Sequence, residues 1–241
     1  MGILDNIYIR DYITSNLGKK VKYRWTHGAT DLHMGDGLIV YSLIQLKRSK
    51  VCVCLGSGGG FIPRIMTCAR ADLHEQGIFE GDNDKNWGDI GVTYIVDAAN
   101  GIGGDVDWLR KDSFLRKHFH PRVIKDTTEN AFYNHFVKED ITIDYLHIDA
   151  DHSFEGVKQD FDLYSSILSK DGIISIHDTD KDYSKNYIVS EDIKKDYENF
   201  DGPAKLIKVI DKKKWKTFNL FNEGILKNKP STTGLTLVQH A

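Results

Sequence analysis

The chain is poor in the features that mark several classes of protein. Its 241 residues include only three cysteines, too few for a disulfide framework. The net charge of −3 is too close to zero for a nucleic-acid binder driven by overall charge. The longest strongly apolar run near the start, residues 38–44, is far shorter than the roughly 20 residues of a membrane helix. We therefore expect a soluble globular protein with no nucleic acid and no membrane among its partners.

Signals for export and for division into domains are also scarce. Residues 1–10 lack the apolar core of a signal peptide, which predicts a cytoplasmic location. Cys52 and Cys54 stand two apart in an apolar run, so we expect both thiols to be buried on one face of a strand. No repeat or linker divides the chain. We expect one domain over residues 35–241, preceded by an N-terminal extension over residues 1–34 that forms part of a substrate lid; a homodimer is a further expectation.

Short apolar runs alternate with helical patterns, which favours right-handed crossovers and a parallel sheet. The predicted strands are residues 51–55, 93–96, 122–124, 143–148 and 173–176. The predicted helices include residues 37–46, 108–117 and 129–138. A fourth helix follows from apolar residues at three- and four-residue spacing between Phe154 and Leu168, with Ser153 as its N-cap and Gly172 in the turn after it.

The last quarter of the chain has a less regular pattern. Residues 185–199 are typical of a polar helix. Three further segments are strand candidates, and two of them would form an edge hairpin: residues 205–210, 216–221 and 233–238.

Polar residues follow the first three predicted strands, and ligands bind beyond the carboxyl ends of the strands in an open parallel sheet. Residues 56–60 read Gly-Ser-Gly-Gly-Gly, a loop that can turn sharply and approach a ligand closely. Phe61 replaces the third glycine of a dinucleotide fingerprint and no phosphate-loop lysine follows, so we expect a ligand without pyrophosphate. Asp97 stands where a carboxylate can accept ribose hydroxyls; a solvated loop acid is the alternative. Asp126 and Thr127 stand where such a pair can border an adenine.

The densest group of polar residues follows the fourth and fifth strands. Asp149, Asp151 and His152 come after the fourth, and His177 and Asp178 after the fifth. Since adjacent strands lie about 4.8 Å apart, these termini can share one ligand or ion. Carboxylates with an imidazole suit a divalent cation, and Asp151 or His152 could serve as a general base. The alternative is that these groups pair only with each other and with helix N-termini.

These same segments resemble the class I S-adenosylmethionine-dependent methyltransferases. Residues 148–157 read Ile-Asp-Ala-Asp-His-Ser-Phe-Glu-Gly-Val, similar to the Ile-Asp-Gly-Asp-His-Ser-Tyr-Glu-Gly-Val of the small-molecule and sugar O-methyltransferase branch, methyltransferase family 24. Residues 171–178 are similar to the Gly-Gly-hydrophobic-His-Asp ending of that branch, and the likeness covers roughly residues 35–180. It implies an α/β fold: a doubly wound, mostly parallel, seven-stranded Rossmann-like sheet with helices on both faces and the last strand antiparallel.

The resemblance also implies roles for single residues. The methionine part of S-adenosylmethionine would be held by Gly56, Ser57, Gly58 and Gly59. The ribose would lie at Asp97, the adenine near Asp126 and Thr127, and Asp149 would also adjoin the cofactor. Relatives that bind a divalent ion imply Asp149, His177 and Asp178 as ligands for Mg, Mn or another cation, with His177 in place of a carboxylate. The implied catalytic residues are Asp151, as candidate base, with His152 and Asp149.

The leading hypothesis is a cytoplasmic S-adenosylmethionine-dependent O-methyltransferase that acts on a small polar acceptor such as a sugar or a glycan precursor. Three loops are expected to line the acceptor pocket: residues 23–36, 101–107 and 178–189. One alternative is a metal-dependent hydrolase or oxygenase built from Asp149, His152, His177 and Asp178. The other is a binding module that keeps the fold without the chemistry.

Overall fold

The computed structural model describes residues 27, 34–58, 60–75, 91–98, 120–180, 201–220 and 234–241. Seven strands lie within these ranges. They are β1 (Val51–Leu55), β2 (Val92–Val96), β3 (Arg122–Ile124), β4 (Ile143–Ile148), β5 (Leu168–His177), β6 (Trp215–Leu220) and β7 (Leu235–His240). They form one sheet in the order β3-β2-β1-β4-β5-β7-β6.

The sheet is parallel except at β7. β1 pairs in parallel with β2 and β4, while β7 runs antiparallel to both β5 and β6. The strand order reverses between β1 and β4, because the chain first builds outward through β2 and β3 and then returns to the other side of β1. This confirms the predicted sheet with its antiparallel last strand, and it places the expected ligand site at the ends of β1 and β4.

Helices cover both faces of the sheet. They are α1 (Asp36–Lys47), α2 (Phe61–Glu75), α3 (Thr128–Ala131, continuing as a π-helix over Phe132–Val137), α4 (Phe154–Ser165) and α5 (Gly202–Val209). In the parts of the chain given above, no helix combines the length and the apolar character that crossing a bilayer requires.

β1 divides the core into two halves because its alternate side chains point to opposite faces. Cys52 and Cys54 are fully buried with the apolar residues of α1 and α2. Val53 and Leu55 are equally buried in the cluster formed with α3, α4 and α5. Burial raises the pKa of the Cys52 thiol to about 12 and that of Cys54 well above its usual value. The thiols therefore serve as small apolar groups, as expected.

The prediction of a strand over residues 205–210 is wrong, because this segment forms α5. Pro203 stands in its first turn, and Leu206 and Ile210 are buried one helical turn apart against the core. The short run of β-branched and apolar residues in this segment is compatible with a strand as well as with a helix. Segments 216–221 and 233–238 do correspond to the hairpin of β6 and β7.

The end of α4 also differs from the sequence interpretation. The helix stops at Ser165, and both Leu168 and Gly172 lie within β5. The register shifts between the pairs Ile143–Leu168 and Tyr145–Ile173, so extra residues of β5 bulge out of the ladder. The predicted helices over residues 108–117 and 185–199 lie outside the described residues.

Asp160, on the buried face of α4, is an acid placed unfavourably for stability. It is 2% exposed, and its Oδ2 has no hydrogen-bond partner among the described residues. Burial, with a contribution from the charge of Asp151, raises the pKa of Asp160 to about 6 against a hydrogen bond with Thr128. Since the folded-state pKa lies above the usual value of 3.8, the folded protein loses stability as the pH rises toward 6.

We expect Asp160→Asn to raise the free energy of unfolding at pH 7.5 by about 1 to 3 kcal/mol, because the amide carries no charge to desolvate. Urea denaturation measures the gain, which should shrink when the pH is lowered from 7.5 to 5. Asp162→Asn, on the exposed side of the same helix, is the control and should change stability by less than about 0.5 kcal/mol at either pH. An equal gain from Asp160→Asn at both pH values would contradict the proposed ionisation.

Candidate functional site

Backbone hydrogen bonds continue past the ends of three strands and fix the residues that follow them. Gly56 N donates to Val96 O at 2.9 Å, and Asp149 N donates to Leu55 O at 2.9 Å. Asp97 N donates to the carbonyl at the end of β3, at 3.0 Å. Gly56, Asp97 and Asp149 are therefore held side by side at the carboxyl edge of the sheet, at the point where strand order reverses.

Gly56 is required by close packing as well as by conformation. Its φ is +79°, and a Cβ at this position would lie 2.0 Å from the carbonyl oxygen of Asp149. Gly58 also has a positive φ, +46°, but a Cβ there would meet nothing within 4 Å. Gly59 lies outside the described residues. The backbone between β1 and α2 can thus approach β4 and a ligand more closely than any loop with side chains.

Asp97 is held against Ser57 of the glycine loop, the name we give to residues 56–60. Its Oδ2 accepts a hydrogen bond from Ser57 N at 2.9 Å and another from the Ser57 hydroxyl. Asp97 is buried at 8% exposure, in the loop directly after β2. The two hydrogen bonds from Ser57 therefore fix the carboxylate beside the loop that follows β1. The role of Asp97 at a ribose stays a prediction.

Asp126 and Thr127 stabilise the start of α3. Asp126 Oδ1 accepts hydrogen bonds from Thr127 N at 2.8 Å and from Asn130 Nδ2 at 3.0 Å. Thr127 is the N-cap, and its side chain accepts from Asn130 N at 3.2 Å. Both lie on the same edge as Asp97, one strand further out. Their role beside an adenine stays a prediction.

Three aspartates and three histidines meet beyond β4 and β5, and we name them the Asp/His cluster. The members are His27, Asp36, Asp149, His152, His177 and Asp178. They come from separate parts of the chain. Asp36 is in the first turn of α1, and its backbone N–H donates to His27 O at 3.0 Å. Asp178 follows the last residue of β5 with a φ of +56°, which turns its side chain back toward the cluster.

One half of the cluster consists of Asp149, His152 and Asp178. His152 Nε2 lies 3.1 Å from Asp149 Oδ1 and 3.4 Å from Asp178 Oδ2. Burial alone would lower the pKa of His152, but the hydrogen bond to Asp149 and the charges of Asp178 and Asp149 raise it overall. These three residues offer ligand atoms within 4.8 Å of one another, so they could hold a cation.

The other half consists of His27, Asp36 and His177. His177 Nε2 lies 3.0 Å from His27 Nδ1 and 3.4 Å from Asp36 Oδ2. Burial and the neighbouring His177 lower the pKa of His27 to about 4. Burial would also lower the pKa of His177, but Asp178 and Asp149 raise it well above its usual value. This half is a second set of ligand atoms within 4.8 Å of one another.

Asp149 and Asp178 both have pKa values below the usual value of an aspartate. Burial would raise the pKa of Asp149, but His177 and His152 hold it well below its usual value. The pKa of Asp178 is lowered in the same way, with His177 as the main opposing charge. The cluster therefore gathers buried negative charge that protons on imidazoles balance, and a dication could take the place of those protons.

Asp151 lies at the edge of the cluster rather than within it. It is exposed, and its Oδ1 accepts from Ser153 N at 2.8 Å. Ser153 in turn caps α4 by accepting from Gly156 N at 3.0 Å. A Cβ at Gly156 would lie 2.3 Å from the Asp151 carboxylate, so the glycine leaves room for that acid. Asp151 is thus fixed at the start of α4, with one carboxylate oxygen on Ser153 N and the other against Gly156.

The sequence suggests two members of the cluster, His27 and Asp36, only as part of the acceptor loop over residues 23–36. Their contact with His177 depends on the tertiary fold, and no spacing pattern indicates it. A third residue, His147 on β4, has no signal in the sequence either. It is buried with its ring 6.2 Å from that of His27, and its Nδ1 is 2.8 Å from Ser175 Oγ. Burial lowers the pKa of His147 to about 3, so this ring is uncharged where it adjoins the cluster.

A known protein family matches the part of the chain from β1 to β5. The profile of methyltransferase family 24, described as a methyltransferase domain, matches residues 53–179. No curated protein matches the sequence significantly.

Several solved structures share the fold at low sequence identity. An O-methyltransferase from Bacillus cereus, in complex with S-adenosylhomocysteine, is 13% identical with a TM-score of 0.63, over 99% of this chain and 93% of that one. A methyltransferase from Podospora anserina, also bound to S-adenosylhomocysteine, is 10% identical with a TM-score of 0.63, over 100% and 89%. The O-methyltransferase TomG from Streptomyces achromogenes, involved in tomaymycin synthesis and in complex with S-adenosylmethionine, is 9% identical with a TM-score of 0.56, over 98% and 99%.

Alanine substitutions in the glycine loop should separate close packing from backbone conformation. We expect Gly56→Ala to lower the free energy of unfolding by about 3 kcal/mol or more, because it adds a clash with Asp149 to the strain of a positive φ. Gly58→Ala is the matched control and should lower it by only about 1 kcal/mol, since its Cβ meets no neighbour. Chemical denaturation of both variants measures the difference, and equal losses would show that β1 and β4 are not in close contact there.

Proposed function

We propose that this chain, which belongs to methyltransferase family 24 of the class I S-adenosylmethionine-dependent methyltransferases, methylates a hydroxyl oxygen of a small polar acceptor. The observation that carries this proposal is the meeting of the glycine loop, Asp97 and Asp149 where strand order reverses. This is the position at which an open α/β sheet binds its ligand. A sugar or a surface-glycan precursor is the acceptor that we propose, and the cytoplasm is the proposed location.

The cofactor would lie along the edge formed by β1, β2 and β3. We assign the methionine part to Gly56, Ser57, Gly58 and Gly59, because a backbone without Cβ atoms gives a ligand close access to its amides. Asp97 would accept the ribose hydroxyls while Ser57 holds its position. Asp126 and Thr127 would border the adenine, and Asp149 would adjoin the methionine part. Bound S-adenosylmethionine supplies a methyl group already activated by its sulfonium charge.

The chain's own task is then to align and deprotonate the acceptor. We assign the general base to Asp151, which lies beside the cluster and is exposed. His152 and Asp149 are assigned to catalysis with it; in the structure His152 Nε2 lies between the carboxylates of Asp149 and Asp178. Fixing an oxygen behind the methyl group can lower the barrier by several kcal/mol through orientation alone.

We propose further that a divalent cation such as Mg or Mn binds at the carboxylates Asp149 and Asp178. The sequence suggests His177 as the third ligand, and its Nδ1 lies 3.4 Å from Asp149 Oδ1 and 3.1 Å from Asp178 Oδ1. His152 is an equally close candidate, with its Nε2 facing both acids. A cation held there would lower the pKa of the acceptor hydroxyl.

Binding of the cofactor can be measured without knowledge of the acceptor. We expect isothermal titration calorimetry to show binding of S-adenosylmethionine and of S-adenosylhomocysteine. Asp97→Asn should raise the dissociation constant about 10- to 100-fold, because a charged acceptor for the ribose hydroxyls is lost.

Asp144→Asn is the matched control for this titration. Like Asp97, Asp144 accepts two hydrogen bonds; they come from Lys50 N at 2.9 Å and Val51 N at 3.0 Å, at the opposite end of β1. It should leave the affinity for S-adenosylmethionine unchanged. Folded protein that binds neither compound at millimolar concentration would overturn the proposed function.

Loss of the proposed base should affect turnover rather than cofactor binding. Sugars and nucleotide sugars can be screened as acceptors by following S-adenosylhomocysteine release and confirming the methyl ether by mass spectrometry. With an acceptor in hand, Asp151→Asn should lower kcat by about 100-fold or more and leave the dissociation constant of S-adenosylmethionine within about twofold. An unchanged kcat would remove Asp151 from the base role.

A further inference from the structure

We propose that His27, Asp36 and His177 form a binding site for a transition-metal dication of the zinc type, distinct from the carboxylate pair Asp149 and Asp178. Nothing in this inference depends on the methyl-transfer function, because the site is defined by its own ligand atoms. It extends the cluster beyond the residues that the sequence suggests as ligands.

Two of the three separations between the ligand atoms are close to those that such an ion requires. His177 Nε2 lies 3.0 Å from His27 Nδ1 and 3.4 Å from Asp36 Oδ2, and all three ligand atoms lie within 4.8 Å of one another. Zinc binds imidazole nitrogen and carboxylate oxygen at about 2.0–2.2 Å, so two tetrahedral ligands are about 3.3–3.5 Å apart. The two contacts of His177 therefore need shifts of only a few tenths of an ångström to accommodate an ion.

The surroundings of His177 suit a metal-binding imidazole. While Nε2 faces His27 and Asp36, Nδ1 lies 3.1 Å from Asp178 Oδ1 and 3.4 Å from Asp149 Oδ1. Histidines that bind metals almost always direct their second ring nitrogen to a carboxylate, a carbonyl or a water, which fixes the ring and strengthens it as a ligand. Asp149 and Asp178 would perform that task here.

The other two ligands are also fixed in place. The backbone N–H of Asp36 donates to the carbonyl of His27, which ties residue 27 to the first turn of α1. The His27 ring is stacked near Phe61 at a centroid distance of 6.1 Å. The side chains of His27 and Asp36 are each only 6% exposed, so an ion there would be shielded from bulk water.

The ligand chemistry sets the class of metal. Two imidazoles and one carboxylate suit zinc, cobalt, nickel or iron(II), whereas magnesium and calcium prefer oxygen ligands. The neighbouring set has the opposite balance, with two carboxylates and His152. The two halves of the cluster are therefore expected to differ in metal preference. The proposed zinc-type site uses Nε2 of His177. The third ligand of the site at Asp149 and Asp178 would then be His152.

Cobalt(II) is the probe of choice, because tetrahedral or five-coordinate cobalt absorbs in the visible range. The full-length protein is stripped with a chelator, dialysed and titrated with Co²⁺, and zinc and magnesium are then added in competition. We expect one equivalent of Co²⁺ to produce visible absorption bands, zinc to displace it, and millimolar magnesium to leave the bands unchanged. Metal analysis after gel filtration should give about one zinc per chain.

Variants locate the ion. His27→Ala and Asp36→Asn should each weaken Co²⁺ binding by at least about 10-fold, whereas His152→Ala should retain the visible bands. His135→Ala, a half-exposed histidine at the π-helical end of α3, is the matched control. Thermal melts followed by circular dichroism verify that each variant is folded. Asp36→Asn, which keeps the side-chain size, serves in place of His27→Ala if that variant does not fold.

The inference is overturned if no Co²⁺ bands appear, or if magnesium removes them. It is also overturned if His27→Ala and Asp36→Asn bind Co²⁺ as the wild type does while His152→Ala does not. The ion would then lie in the half of the cluster formed by Asp149, His152 and Asp178. Calorimetry with S-adenosylmethionine on the same samples is an independent readout. Loss of metal binding therefore cannot be confused with failure of the proposed methyltransferase function.

Discussion

The contact between the ends of β1 and β4 is the constraint on which the rest of the site depends. Leu55 and Asp149 are joined by a backbone hydrogen bond, and Gly56 lies so close to Asp149 that no side chain fits between them. Because the two strands meet here, the glycine loop and the acidic loop after β4 belong to one rigid edge. Asp97 joins the same edge through Ser57. The proposed cofactor site and the proposed reaction site are thereby placed side by side.

Electrostatics imposes a second constraint on this edge. Burying ionised carboxylates is unfavourable unless opposite charge compensates them. In the Asp/His cluster that compensation comes from His152 and His177, whose pKa values are raised by Asp149 and Asp178. A cation could replace the protons on these imidazoles, because both neutralise the same carboxylates. The same residues therefore form a network of ion pairs and would act as ligands for the cation that we propose.

The sequence predicts the strands better than it predicts the connections between them. Strands buried on both faces leave continuous apolar runs, which is why β1 is recognisable without an alignment. The segment over residues 205–210 forms a helix instead because its apolar residues also satisfy helical spacing and pack against the core. The bulge in β5 at Gly172 depends on pairing with β4, which local sequence does not encode.

The residues of the site also differ in how well the sequence predicts their positions. The sequence predicts that four of them lie close together, because they stand at the ends of neighbouring strands: Asp149, His152, His177 and Asp178. It does not predict this of His27 and Asp36, since their approach to His177 depends on how the segment before α1 packs against the sheet. Asp151 shows a further limit: its position in the motif is clear, but only the structure shows that its carboxylate accepts a hydrogen bond from Ser153, the N-cap of α4.

A crystal structure of the protein with S-adenosylhomocysteine would show whether this edge of the sheet binds the cofactor. We expect the ribose hydroxyls to lie within hydrogen-bond distance of the Asp97 carboxylate, about 2.6–3.0 Å, and the methionine part to follow the Gly56–Gly58 backbone. The sulfur should face the space beside Asp149 and Asp151. A cofactor bound elsewhere, or one whose ribose makes no contact with Asp97, would contradict the assignment of this edge as the methyl-transfer site.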